Sequence, residues 1–156
     1  MHSQNRYLGW LLLILRLGLA AVFAYAAWVK LREPWMLFAI SVDNYHVLPQ
    51  WAVVAVARTL PWFELLLALL LLTGVWRRIS TVAASALLML FFALMVRASV
   101  RGETIDCGCF GPGDAISPIT LLRDGGLLAA SLVLSVGAFR RRQSRQPVPD
   151  LVSREQ

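Results

Sequence analysis

Two cysteines, Cys107 and Cys109, are the only ones in the chain, and one glycine separates them in the stretch RGETIDCGCFGPGDAIS between two long apolar runs. A disulfide needs Cα atoms about 4.4 to 6.8 Å apart, which residues i and i+2 reach only where the backbone bends sharply. Gly108 permits this bend because glycine adopts positive φ at no steric cost. A strained bridge is more easily reduced than a relaxed one, so the spacing favours a redox-active thiol pair.

Two other interpretations of the thiol pair remain open. Two thiolates bind soft metals, but structural zinc uses four ligands, and the other candidate ligands are only His46, His2 and Asp106. A small disulfide ring would constrain little of the unfolded chain, so a structural clasp would contribute little stability. We therefore predict a redox pair and no metal.

Charged residues near the thiols would control their reactivity, because nearby cations raise the thiolate fraction. Asp106 directly precedes Cys107 and is predicted to act as a local proton acceptor. The predicted catalytic residues are therefore Cys107, Cys109 and Asp106. Arginines near helix ends also extend to the membrane interface without a further role. The residues predicted to surround a cofactor are Arg58, Glu64, Arg97 and Arg123.

The elements that position these residues are four apolar runs, at 7–29, 51–76, 79–100 and 119–139. The chain is 58% hydrophobic and 15% charged, whereas a soluble domain is about 25% charged. Crossing a bilayer takes about 20 apolar residues, and a backbone in lipid must be helical. We predict an all-α integral membrane four-helix bundle over residues 1–142, followed by a disordered cytoplasmic tail at 143–156.

The basic residues predict the orientation of the bundle. Seven arginines lie on the side of the termini and the middle turn, including Arg77, Arg78 and the cluster at 140–142, and four basic residues lie on the other side. Positive charge near span ends stays in the cytoplasm, so both termini are predicted to be cytoplasmic. The cysteine loop then faces the periplasm of a bacterial inner membrane, where disulfides persist. The net charge of +6 is accounted for by topology, and no nucleic-acid partner is predicted.

Two charges fall inside the apolar runs. Arg16 lies nine residues from Tyr7, and Glu64 lies twelve residues from Trp76, so their depths are comparable. Because isolated charges at this depth cost several kcal/mol, we predict an Arg16–Glu64 ion pair. Pro61 bends the helix just before Glu64 and could make room for a quinone ring.

The segment between the first two runs is amphipathic and aromatic. It predicts a short interfacial helix near 34–40, with Tyr45 and His46 covering the cysteine loop. Trp and Tyr also anchor routinely at membrane interfaces, which is the alternative interpretation.

The order of these features resembles the MauE branch of the DoxX-like membrane proteins. The resemblance covers residues 10–135 and includes RLGLAAVFAYAAWVKL, FAISVDNYHVLP, LPWFELLLALLLLTGVWRR, RGETIDCGCFG and LLRD, the last supplying Arg123 and Asp124. It implies a four-helix membrane protein of periplasmic thiol chemistry. MauE is associated with maturation of a disulfide-rich methylamine dehydrogenase subunit beside a thioredoxin-like partner, and related DoxX-like proteins are linked to quinone reduction.

The sequence therefore predicts a membrane thiol:disulfide oxidoreductase that exchanges electrons between a periplasmic thioredoxin-like protein and a membrane quinone. The first alternative is a non-catalytic membrane subunit or assembly factor of a larger redox complex, in which the cysteines form a clasp. The second is a transporter or metal-handling protein that uses the thiols as ligands. Whether the chain is an enzyme stays open at this stage.

Overall fold

The computed structural model describes residues 2–103, 105–110 and 114–143, and the tail predicted to be disordered lies outside them beyond Gln143. The described chain confirms the all-α prediction. The five helices are α1 (His2–Arg32), α2 (Trp35–Asp43), α3 (Gln50–Thr73), α4 (Arg77–Val100) and α5 (Pro118–Gln143). Four segments are long and apolar enough to cross a membrane: Gly9–Arg32, Gln50–Thr73, Arg77–Val100 and Pro118–Ala138.

The four long helices form one antiparallel bundle. Helix α1 packs mainly on α3, and α4 packs mainly on α5, while α1–α5 and α3–α4 contacts close the ring. The end that carries Cys107 and Cys109 is called the cysteine end, and the end that carries Arg77 is called the arginine end. The chain runs to the cysteine end along α1 and α4 and returns along α3 and α5.

The side chains of the spans divide between a narrow core and a broad apolar exterior. Leu19, Phe23, Leu67, Leu71 and Leu134 are buried in the core. Only 22% to 33% of each span is buried inside the protein. Exposed apolar surface of this extent is unusual on a soluble monomer, so lipid is the solvent that these outer faces fit.

A short helix between the first two spans confirms the helix predicted near 34–40, and its position at a membrane interface stays a prediction. Helix α2 buries Phe38 and Ser41, and both residues lie close to Gly108 of the cysteine loop. One side of the loop therefore rests on α2.

Helix α5 begins with a reciprocal cap that fixes its first turn. The Ser117 N–H donates to the Thr120 hydroxyl at 2.7 Å, and the Thr120 N–H donates to the Ser117 hydroxyl at 3.2 Å. Pro118 occupies the first helical position, where its missing N–H costs no hydrogen bond. The cap sets the direction in which Arg123 and Asp124 leave the next turn.

The predicted Arg16–Glu64 ion pair is wrong, because Glu64 is paired with Lys30. The Arg16 guanidinium lies beside Gly74, ten residues beyond Glu64 and so about 15 Å away along α3. The prediction measured depth from the ends of the apolar runs. The first apolar run was taken to end at residue 29, but helix α1 continues to Arg32, and this extension brings Lys30 to the depth of Glu64.

Candidate functional site

Both cysteines are free thiols held close together at the cysteine end of the bundle. Cys107 is buried, with 1% of its surface exposed, whereas Cys109 is partly exposed. The Cys109 N–H donates to the Cys107 Sγ at 3.3 Å. Gly108 has a φ of 68°, which confirms the sharp bend that the sequence required. The arrangement is asymmetric, with one sulfur shielded and the other approachable.

Three hydrogen bonds anchor the loop. The Tyr45 hydroxyl donates to the Cys107 carbonyl at 3.2 Å, and the Lys30 ammonium donates to the Cys109 carbonyl at 2.8 Å. The Cys107 N–H donates to the Asp114 carbonyl at 2.9 Å. The predicted contact of Tyr45 with the loop is thus confirmed, whereas His46 is exposed.

A buried ion pair lies directly beneath the loop. The Lys30 Nζ lies 2.8 Å from the Glu64 Oε1 and 3.0 Å from its Oε2, and the two side chains are 2% and 4% exposed. The Phe38 ring lies over the ammonium at 5.2 Å. Because each charge has a close partner, the pairing reduces the free-energy cost that burial imposes on each ion.

A second group of charges flanks the thiols from α5. The Arg123 Nη2 donates to the Asp114 Oδ2 at 2.9 Å, and the Arg123 Nε donates to the Asp124 Oδ1 at 3.0 Å. The guanidinium also lies over the Phe110 ring at 4.4 Å. The Cys107 Sγ lies 3.3 Å from the Asp114 Oδ2, so Arg123 neutralises the carboxylate nearest to the buried sulfur.

The structure brings only some of the predicted site residues to the thiols. Glu64 and Arg123 lie at the site. Arg58 lies over the Trp35 ring at 4.6 Å, and Arg97 is exposed near the end of α4. Asp106 forms a β-bridge with Ala115. The predicted roles of Asp106, Arg58 and Arg97 stay predictions.

The two thiols have pKa values shifted in opposite directions. A hydrogen bond from the Cys109 thiol is the main cause that lowers the pKa of Cys107, although burial and the Asp114 carboxylate act against this shift. The same hydrogen bond, together with burial, raises the pKa of Cys109. Burial, followed by the charge of the two thiolates, raises the pKa of Tyr45, so its hydroxyl stays a donor to the loop. Of the two thiols, Cys107 is therefore the one whose surroundings favour ionisation.

Replacing Cys109 with alanine should raise the pKa of Cys107, because the variant removes the donor that lowers it. Ultraviolet thiolate absorbance followed against pH measures this shift. In the matched Cys107→Ala variant, the pKa of Cys109 should fall, because the sulfur that raised it is gone. If the single thiol of each variant titrated at the same pH as the corresponding thiol of the reduced wild type, the mutual influence of the two thiols on their pKa values would be contradicted.

The residues around the thiols offer a partial metal site but little room for a ring. One ligand atom from each of Cys107, Cys109 and Asp124 lies within 4.8 Å of the others. His2, one of the candidate ligands, lies among residues whose side chains are not described. The cavity lined by Glu64, Cys109, Phe110 and Asp124 measures about 30 Å³, which suits about one water molecule. A quinone ring does not fit there with the helices as they stand, so its binding stays a prediction.

Sequence reasoning assigned no role at the site to three of its residues, Lys30, Asp114 and Asp124, although the family resemblance included Asp124. Lys30 was counted as a charge outside the membrane, although it directly follows an unbroken apolar stretch that continues the helix. Asp124 falls in the second turn of an apolar run, where an acid is unusual and calls for a partner. No pattern pointed to Asp114, because its position depends on how the loop folds back through the bridge at Asp106.

The fold and the site define a class of protein: a four-span helical membrane protein that holds a thiol pair at one end of its bundle. The chain belongs to the MauE family, since the family described as "Methylamine utilisation protein MauE" matches residues 8–137.

Three relatives named "Methylamine utilization protein MauE" are similar to this chain. The protein of Paracoccus denitrificans is 38% identical over 79% of this chain and 67% of its own length. That of Methylophilus methylotrophus is 44% identical over 60% and 49%, and that of Methylorubrum extorquens is 34% identical over 77% and 66%. The chain thus spans between half and two thirds of the length of these relatives. No solved structure matches it.

Proposed function

We propose that this chain is a membrane thiol:disulfide oxidoreductase whose Cys107 and Cys109 exchange electrons with a thioredoxin-like protein. The observation that carries this proposal is the asymmetry of the pair. The shielded sulfur accepts a hydrogen bond from the Cys109 N–H, while the other sulfur is partly exposed. A disulfide is exchanged best when one sulfur is accessible and the other leaves as a stabilised thiolate.

The exchange begins from the disulfide form of the pair. A thiolate of the partner attacks the Cys109 sulfur, the bond to the Cys107 sulfur breaks, and Cys107 leaves as the thiolate. The second thiolate of the partner then attacks the partner's own sulfur in the mixed disulfide and releases Cys109, which takes a proton. The pair gains two electrons, and the partner becomes a disulfide. The same steps in reverse oxidise the pair's thiols and reduce the partner.

A membrane quinone is the proposed second redox partner, because two electrons must enter or leave the pair on each cycle. The support for a quinone comes from the aromatic residues that connect the thiol loop to the exposed face of α1. Phe110 lies 6.1 Å from the Tyr25 ring, and Tyr25 is exposed on the lipid-facing surface of α1. No step is assigned to the quinone, because the cavity beside Cys109 is too small for its ring.

The names of the relatives suggest the wider setting. We propose that the thiol exchange serves the maturation of disulfide-containing components in methylamine utilisation, from an inner membrane with the cysteine end on the periplasmic side. The alternative is a non-catalytic assembly factor in which the cysteines form a clasp. The complete burial of Cys107 and the three bonds that anchor the loop favour that alternative.

Trapping separates the two candidates. In a Cys107→Ser variant, the partly exposed Cys109 should retain the partner as a mixed disulfide, because the sulfur that resolves it is absent. In the matched Cys109→Ser variant, the remaining Cys107 is buried, so it should trap far less. Non-reducing gels of membranes expressing the partner, followed by mass spectrometry, measure the complex.

The clasp predicts a different pattern for the same variants. Neither would capture a partner, and each would keep full function in cells. An impermeant maleimide applied to intact cells should label Cys109 in the Cys107→Ser variant; labelling only after the inner face is opened would overturn the periplasmic orientation.

A further inference from the structure

A cavity of about 270 Å³ lies at the arginine end of the bundle, far from the thiols. Helices α1, α4 and α5 line it as an open cleft, and its lining includes Leu12, Arg16, Arg77, Thr81 and Leu134. Its size is close to the lower limit of about 300 Å³ for small-molecule sites.

Two arginines supply the charge of this cavity, and nothing in its described lining neutralises them. Among the side chains that the structure describes, Arg16 and Arg77 form no ion pair, and the buried Nε of Arg16 has no hydrogen-bond partner. A charge within a span costs several kcal/mol unless it pairs or reaches water. The described residues that line the cavity include no carboxylate.

The backbone at Gly74 brings the two guanidiniums together. Gly74 ends α3 in the left-handed conformation, with a φ of 71°. A Cβ at this position would collide with the Arg16 Nη1 and lie 3.2 Å from the Arg77 Nε. Both guanidinium groups therefore pack against Gly74, where any side chain would collide with them. The two like charges repel each other, and an anion bound between them would replace this repulsion with attraction.

The chemistry of the cavity selects a phosphate group. Guanidinium groups bind phosphate oxygens in a bidentate manner. Arg77 is also the first residue of α4, where the helix dipole attracts anions. Leu12 and Leu134 give the cavity apolar walls suited to the carbon chain attached to a phosphate ester.

We propose that this cavity binds a phosphate group through Arg16 and Arg77, supplied by the headgroup of an anionic phospholipid or by a soluble phosphate. The site stands apart from the thiol chemistry and does not depend on it.

Native mass spectrometry of the full chain tests the lipid source. The protein is released from nanodiscs of phosphatidylcholine with a minority of phosphatidylglycerol. The wild type should retain one phosphatidylglycerol, and Arg16→Met and Arg77→Met should each weaken retention at least about tenfold. Titration calorimetry with inorganic phosphate tests the soluble source, with the same two variants.

The variants remain interpretable because the loss of Arg16 removes no hydrogen bond or ion pair among the described residues. Helix content and maleimide labelling of Cys109 should therefore match the wild type. The conservative Arg16→Lys variant should bind with intermediate affinity, since it keeps the charge and loses the planar fork. Arg101→Gln at the cysteine end is the matched control and should leave binding unchanged. The proposal would be overturned if neither phosphatidylglycerol nor inorganic phosphate bound, or if both methionine variants bound as tightly as the wild type.

Discussion

Replacing Lys30 with methionine is expected to lower the free energy of unfolding by about 3–5 kcal/mol, because it leaves the Glu64 carboxylate buried without a partner. The two side chains are 2% and 4% exposed, so bulk water does not solvate the carboxylate in place of the lost ammonium. Denaturant titration in detergent micelles, followed by tryptophan fluorescence, measures the loss.

The double variant Lys30→Met, Glu64→Leu provides the matched control. Replacing both partners with apolar side chains removes the unpaired charge, so most of the lost stability should return. The hydrogen bond from Lys30 to the Cys109 carbonyl remains absent in this variant, so thiol exchange should stay impaired. If the double variant lost as much stability as the sum of the two single variants, the ion pair would not be the interaction that holds this end together.

Replacing Gly108 with alanine is expected to destabilise the loop and slow thiol exchange. The φ of 68° costs a residue with a Cβ about 1–2 kcal/mol. The added Cβ would also lie 3.1 Å from the Ser41 Cβ and 3.4 Å from the Phe38 Cε2. Since α2 supports the loop at this point, the loop must shift and carry both sulfurs with it.

Gly102 offers a matched control within the same connection. Its φ is also 68°, but a Cβ there would meet nothing within 4 Å. Unfolding titrations of Gly102→Ala therefore measure only the cost of placing a residue with a Cβ at positive φ. The additional loss of unfolding free energy in Gly108→Ala measures the cost of the contact with α2. The rate of mixed-disulfide formation in a Cys107→Ser background shows how far the shift of the loop impairs the reaction of Cys109. Equal losses in both variants would show that α2 does not constrain the loop.

The sequence predicted the four-span bundle because span length and apolar composition are local properties that lipid selects directly. It also located the thiol pair and the bend at Gly108, because both features belong to one short stretch. The partner of Glu64 was missed because it depends on the register between α1 and α3, which apolar run ends do not define. Asp114 and Asp124 were missed for a related reason, since the loop and the α5 cap together set their distances from the sulfurs.

The Lys30 ammonium has three hydrogens, and all three are engaged: two by the Glu64 carboxylate and one by the Cys109 carbonyl. Swinging the loop outward would break one charge-assisted bond in a region sealed from water, at a cost of about 1.5–3 kcal/mol. A cost of this size leaves the open form about 10- to 150-fold less populated than the closed one. A thiol or oxidant that attacks the shielded Cys107 sulfur must therefore meet the cost of opening, whereas the partly exposed Cys109 sulfur stays within reach in the closed form.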